Sequence, residues 1–170
     1  MKLIVLTDLW GIEKFDWFLK FQNKLNIEIL VYDSCGLGNI DKSIYEESNL
    51  HQQFVNGGIE IAVEKLLEKE KNEVNILAFS IGGTIAWKAI LKGLKVKNLF
   101  VVSATRLRYE TEKLNCKTYL FYGEKDNYKP TKEWFQQLGI EQIEVKDKGH
   151  EVYKDEKFFN NLVIQINNRC

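Results

Sequence analysis

Six short runs rich in Val, Ile, Leu, Phe and Tyr punctuate the chain, at residues 3–7, 27–32, 74–79, 98–102, 118–122 and 142–145. Most are apolar throughout rather than alternating. A strand with no polar side must be covered on both faces. Residues 142–145 differ: Ile143 and Val145 sit between polar neighbours, a pattern that suits a sheet edge. The stretches between the runs carry helical spacing. Phe15, Phe18, Leu19 and Leu25 give one apolar stripe. Phe54, Gly58, Ala62 and Leu66, with Val55, Ile59, Val63 and Leu67 beside them, give two adjacent rows at a spacing of four. Ile81 to Lys92 reads as a third helix, ended by Gly93. Trp134, Phe135 and Leu138 mark a short one after Pro130, and Phe158, Phe159, Leu162, Val163 and Ile166 mark the last. Strand and helix therefore alternate throughout, which predicts an α/β three-layer sandwich around a six-stranded, mainly parallel sheet.

Length and composition fit one domain spanning residues 1–170: 45% of the residues are apolar and 28% charged, as in a globular protein. No repeat, low-complexity tract or linker interrupts the pattern, and 39–49, the longest irregular stretch, reads as a surface loop. The 24 basic and 24 acidic residues cancel without long runs of one sign, so no basic face is expected for nucleic acid. No apolar stretch approaches the roughly 20 residues that span a bilayer, so no membrane partner is expected. The opening apolar run is closed by Asp8 with no cleavage site after it. Cys35, Cys116 and Cys170 are odd in number, far apart and without metal-ligand spacing. Reduced thiols and a cytoplasmic location are the expectation. Oligomeric state is left open.

In open parallel sheets, ligands bind beyond the carboxyl ends of the strands. The third run ends Ala78-Phe79-Ser80-Ile81-Gly82-Gly83 and passes straight into a helix. A serine on such a turn projects its hydroxyl into the cleft, and small residues two positions before and after it let strand and helix approach. Ala78 and Gly82 meet that need, and the Ile81 amide sits at the helix start, free to donate to an oxyanion. The fifth run leads to Asp126 and the sixth to Gly149-His150. A serine needs an imidazole to take its proton, and the imidazole needs a carboxylate to fix its tautomer and stabilise its cation. Glu124 lies two residues before Asp126, but Asp126 fits the acid position better.

Three stretches carry a resemblance to the α/β-hydrolase superfamily. Ala78-Phe79-Ser80-Ile81-Gly82 resembles its nucleophile elbow. Gly123-Glu124-Lys125-Asp126-Asn127-Tyr128-Lys129-Pro130 is similar to its acid loop, and Gly149-His150 before a C-terminal helix to its histidine loop. The resemblance covers nearly the whole chain. It implies a core lacking the family's first two strands and its cap domain, with strand order 2-1-3-4-5-6. It also implies a Ser80–Asp126–His150 triad acting on a small ester or thioester through an acyl-enzyme, with no cofactor and no metal. Ala78 stands where the family has glycine, and Thr7-Asp8 where it has His-Gly. The second oxyanion donor is then the amide of Leu9, or else of Trp10, and Asp8 is expected to cap the helix that follows.

Around this centre, Trp10, Phe79, Tyr128 and Tyr153 are candidates for an acyl pocket. Arg106 or Arg108 is a candidate for binding an acidic group of the substrate. His51 opens a predicted helix well upstream of Ser80, where capping or exposure accounts for it. Cys35-Gly36-Leu37-Gly38 faintly resembles a phosphate-cradling loop but lacks a third glycine and an immediate helix, so it reads as a turn. Without a cap domain the site is expected to be shallow and open. Two other functions compete: an inactive binding module on the same scaffold, favoured by Asp8, and a flavodoxin-like nucleotide binder, which leaves Asp126 and His150 unexplained.

Overall fold

The computed structural model describes residues 2–170; Met1 lies outside the described residues. The six apolar runs form strands β1 (Leu3–Leu6), β2 (Ile29–Tyr32), β3 (Val74–Phe79), β4 (Val96–Val102), β5 (Lys117–Gly123) and β6 (Gln142–Val145). They pair in parallel throughout, in the order β2-β1-β3-β4-β5-β6. The chain thus starts one strand in from an edge, adds β2 at that edge, crosses back over β1 and continues to the other edge.

The period of two along the strands sorts the core into two layers. Ile4, Leu6, Ile76, Ala78, Leu99, Val101, Leu120 and Tyr122 face one side. There they meet the helices α2 (Ser34–Leu37), α3 (Glu47–Gln53), α4 (Ile59–Lys69), α5 (Ile81–Leu91) and α6 (Lys132–Leu138). Leu3, Val5, Leu77, Phe79, Phe100, Val102 and Phe121 face the other, under α1 (Asp16–Gln22) and α7 (Glu156–Arg169). β1 and β3 are buried along their whole length and β4 over residues 98–102, whereas the edge strand β2 leaves Leu30 exposed. Among the described residues, no helix is long and apolar enough to cross a membrane.

Three local readings need correction. Leu19 does not join the stripe of α1 and is 60% exposed. The helix begins only at Asp16, and Phe18 and Phe21, three residues apart, take the buried side. The two rows through residues 54–67 do not form one continuous helix either. A wide turn at Phe54–Gly58 separates α3 from α4, with Gly57 at φ 122, a region closed to most side chains, and Val55 is left exposed. Residues 34–37 form one helical turn instead of a bare turn, because the Asp33 carboxylate accepts the Cys35 amide at 3.0 Å.

Two glycines on the rim beyond the carboxyl ends of the strands differ in what surrounds them. A Cβ on Gly123, at the end of β5, would lie 2.3 Å from the Gly149 carbonyl and 2.4 Å from that of Lys148; one on Gly149 would meet nothing within 4 Å. Gly123→Ala is therefore expected to lower unfolding free energy by about 2–3 kcal/mol, since backbone would have to yield. Gly149→Ala should stay within about 1 kcal/mol of the parent. Urea unfolding of both variants checks this, and equal effects would contradict it.

Candidate active site

β3 ends at Phe79 and α5 starts at Ile81, so the whole change of direction falls on Ser80. Its backbone takes φ 50, ψ −118, a strained conformation for any residue with a side chain. Gly82 and Gly83 make the turn possible. A Cβ on Gly82 would sit 2.6 Å from the Thr7 carbonyl, and one on Gly83 2.5 Å from a Val101 methyl. The helix thus packs against the ends of β1 and β4 at a distance only hydrogen atoms allow.

The structure brings Ser80, His150 and Asp126 together. Ser80 Oγ lies 3.1 Å from His150 Nε2, and His150 Nδ1 lies 3.0 Å from Asp126 Oδ2. With the carboxylate holding a proton on Nδ1, Nε2 is left to accept the serine hydroxyl. The Asp126 side chain is fully buried, and its Oδ1 accepts the Tyr128 amide at 2.9 Å. Burial would push this carboxyl up, but the hydrogen bond and charge of His150, together with the Tyr128 amide, outweigh it. The Asp126 carboxyl is held below the ordinary carboxylate range.

The amides of Leu9 and Ile81 both border the cleft beside Ser80 and have no hydrogen-bond acceptor among the described residues. The Trp10 amide is not free: it donates to Asp8 Oδ1 at 3.0 Å. Asp8 is not the cap of the next helical turn, Gly11–Lys14, where Trp10 holds the cap position with no side-chain bond. Its carboxylate instead closes the turn over the two residues after it.

The cleft holds about 800 Å³. Glu47, Ser48 and His51 of α3, with Phe54 just beyond, line the same cleft as Ser80 and His150. Of the side chains singled out in the sequence, Trp10, Tyr128 and Tyr153 line it. The Tyr128 ring meets His150 edge-on, with centroids 5.1 Å apart.

Phe79 and Arg106 do not line the cleft. Phe79 is fully buried on the α1/α7 side, between Phe15, Trp17 and Tyr153, because alternation along β3 turns it away from Ala78. Arg106 lies over the Tyr109 ring. Arg108 donates to the carbonyls of Thr105 and Tyr128, which ties the β4 loop to the acid loop. His51, which sequence alone leaves as a cap or surface residue, belongs to the cleft. Burial, followed by the charge of Arg106, pushes its imidazole pKa down. The signal was present: Glu47, Ser48, His51 and Phe54 fall on one helical face. Reading 39–49 as a loop hides it.

No protein-family model and no curated protein matches the chain. Solved structures do. A predicted CIB-like hydrolase from Thermoplasma acidophilum superposes with a TM-score of 0.69 at 22% identity, covering 99% of this chain and 87% of that one. Mouse alpha/beta hydrolase domain-containing protein 10 gives 0.69 at 14% identity, over 98% and 88% of the two chains. Carboxylesterase CesB from Bacillus subtilis gives 0.66 at 12%, over 96% and 82%. The fold is that of the α/β hydrolases. In this α/β-hydrolase fold the 170 residues make a truncated core with a six-stranded sheet.

Asp126 gives the fold a pH dependence of known sign. Its folded pKa lies below its unfolded one, so the stability it contributes is complete above the unfolded value. That contribution is lost as pH falls through the folded value. Asp126→Asn, which gives up a charge-assisted hydrogen bond, should cost about 1–3 kcal/mol near neutral pH. The difference from the parent should shrink as pH drops below about 4, which urea unfolding across that range will show.

Proposed function

We propose that this protein is a single-domain serine hydrolase acting on small ester or thioester substrates. The observation that carries the reading is the unbroken hydrogen-bonded line from Ser80 Oγ through the His150 ring to the buried Asp126 carboxylate. The carboxylesterase among the similar structures is in keeping with it.

In this reading, Ser80 Oγ attacks the acyl carbonyl while His150 Nε2 takes its proton. The Leu9 and Ile81 amides hold the oxyanion as it forms. His150 then protonates the leaving alcohol or thiol, and the acyl group stays on Ser80. A water molecule repeats the sequence, giving its proton to His150 and releasing the acid. Asp126 keeps the imidazole in one tautomer and balances its charge throughout. The chemistry calls for neither metal nor organic cofactor. The Leu9, Trp10 and Tyr128 side chains offer apolar surface to the acyl or leaving group, and a cleft of about 800 Å³ suits a small molecule.

The competing reading, an inactive binding module, draws on the carboxylate of Asp8 beside the oxyanion position. One experiment separates the two. The intact protein should hydrolyse p-nitrophenyl acetate and take up a fluorophosphonate probe. Ser80→Ala should lose the label and at least about a thousandfold in kcat/KM. A silent parent protein, or a Ser80→Ala variant that still labels, would count against the proposal.

A further inference from the structure

Asp8 is a buried carboxylate that the proposed mechanism does not use. It is 1% exposed and borders the cleft one residue before Leu9. Both of its oxygens are engaged. Oδ1 accepts the Trp10 amide at 3.0 Å, and Oδ2 accepts the Tyr153 hydroxyl at 3.2 Å. Tyr153 belongs to the helical turn His150–Lys154 that opens with the triad histidine. A single side chain therefore spans from the turn after β1 to the turn that carries His150.

The rest of the turn after β1 is fastened as well. The Thr7 carbonyl accepts the Ser34 hydroxyl, the Leu9 carbonyl accepts the Cys35 thiol, and the Trp10 carbonyl accepts the Tyr45 hydroxyl. With Trp10 N–H held by Asp8, the Leu9 amide has no acceptor among the described residues. Such fastening presets the donor before charge develops, which is the condition for a strong oxyanion site. The same carboxylate also places negative charge next to the position where an oxyanion forms, which opposes it.

We propose that Asp8 is a positioning residue that holds the Leu9 amide in place and, by its charge, sets how well the Leu9–Ile81 pair holds the oxyanion. The inference rests on the hydrolase reading and adds to it a control on acyl-transfer rate. Protonated Asp8 still accepts from Trp10, so acidification removes the opposing charge without releasing the turn. Burial raises the Asp8 carboxyl above the ordinary range, against the opposing effects of the Trp10 amide and the Tyr153 hydroxyl. The other titratable groups around it are Glu151 and Lys154 on the His150–Lys154 turn, Cys35 on α2, and Tyr45. Cys35 is pushed up to about 12, chiefly by burial, and Tyr45 is likewise raised, so neither gains charge near neutral pH.

The test compares Asp8→Asn and Tyr153→Phe, both close in shape to the parent, by steady-state hydrolysis of p-nitrophenyl acetate from about pH 5 to about pH 9. In the parent, kcat should carry a limb that falls as Asp8 ionises. Asp8→Asn keeps an oxygen for the Trp10 amide but has no charge, so that limb should vanish. Above it, kcat should exceed the parent's by about three- to thirtyfold, with KM little changed, because the oxyanion exists only past the ground state. Tyr153→Phe takes a donor from the carboxylate and should move the same limb to higher pH. An active parent whose pH profile is superimposable on that of Asp8→Asn would overturn this inference and leave the hydrolase reading intact. Parent and Asp8→Asn both failing to turn over ester or take the fluorophosphonate probe would overturn both.

Discussion

The site depends on one backbone constraint: the reversal from strand to helix within the single residue Ser80. A conformation at φ 50 costs a non-glycine residue roughly 1–3 kcal/mol. It persists because α5 is buried along most of its length, through Ile81, Ile85, Ala86, Trp87 and Ala89. Burying each large apolar side chain among these contributes about 1.5–3 kcal/mol, so packing outweighs the strain at the turn. The packing in turn depends on Gly82 and Gly83, whose missing side chains let the helix lie directly on the ends of β1 and β4. The same geometry leaves the Ile81 amide unpaired and sets the serine oxygen on the rim of the sheet.

The rest of the constellation follows from the sheet being parallel. Parallel strands present all their carboxyl ends on one rim, and the order β2-β1-β3-β4-β5-β6 puts β1 and β3 side by side. The turn carrying Leu9 and the turn carrying Ser80 are then neighbours without any further device. Bringing in the histidine from beyond β6 takes a close crossing of loops, and Gly123 is where the crossing occurs. Arg108 holds the acid loop against the β4 loop by two carbonyl contacts. Each loop is anchored to the next, so the orientation of His150 is shared among several contacts.

Much of this was legible in the residues because the signals are local. Continuous apolar runs read as strands covered on both sides, which holds for β1, β3 and most of β4 but not for the edge strand β2. Ala78, Ser80 and Gly82 announce the sharp turn through size alone, and the acid and histidine loops follow strands that are themselves easy to read. The misreadings share a cause too. Leu19 is placed by spacing, and Phe79 and Arg106 by their nearness to strand ends, whereas which way a side chain points depends on where its element begins and on the pleat of its strand. Residues 34–58 resisted for a different reason. Asn56 and Gly57 break the helical pattern, and the Asp33 carboxylate caps α2, which spacing does not reveal.

By itself the sequence determined the layers, the parallel sheet and the three residue types able to form an acyl-transfer site, since hydrophobic period and residue size act over a few positions. Tertiary structure alone decided which side chains reach that site. It brought His51 and α3 to the cleft and engaged Arg108 with carbonyl groups. It also engaged the Trp10 amide with Asp8. Those outcomes depend on contacts between residues far apart in the chain, such as Asp8 and Tyr153, which no local pattern encodes.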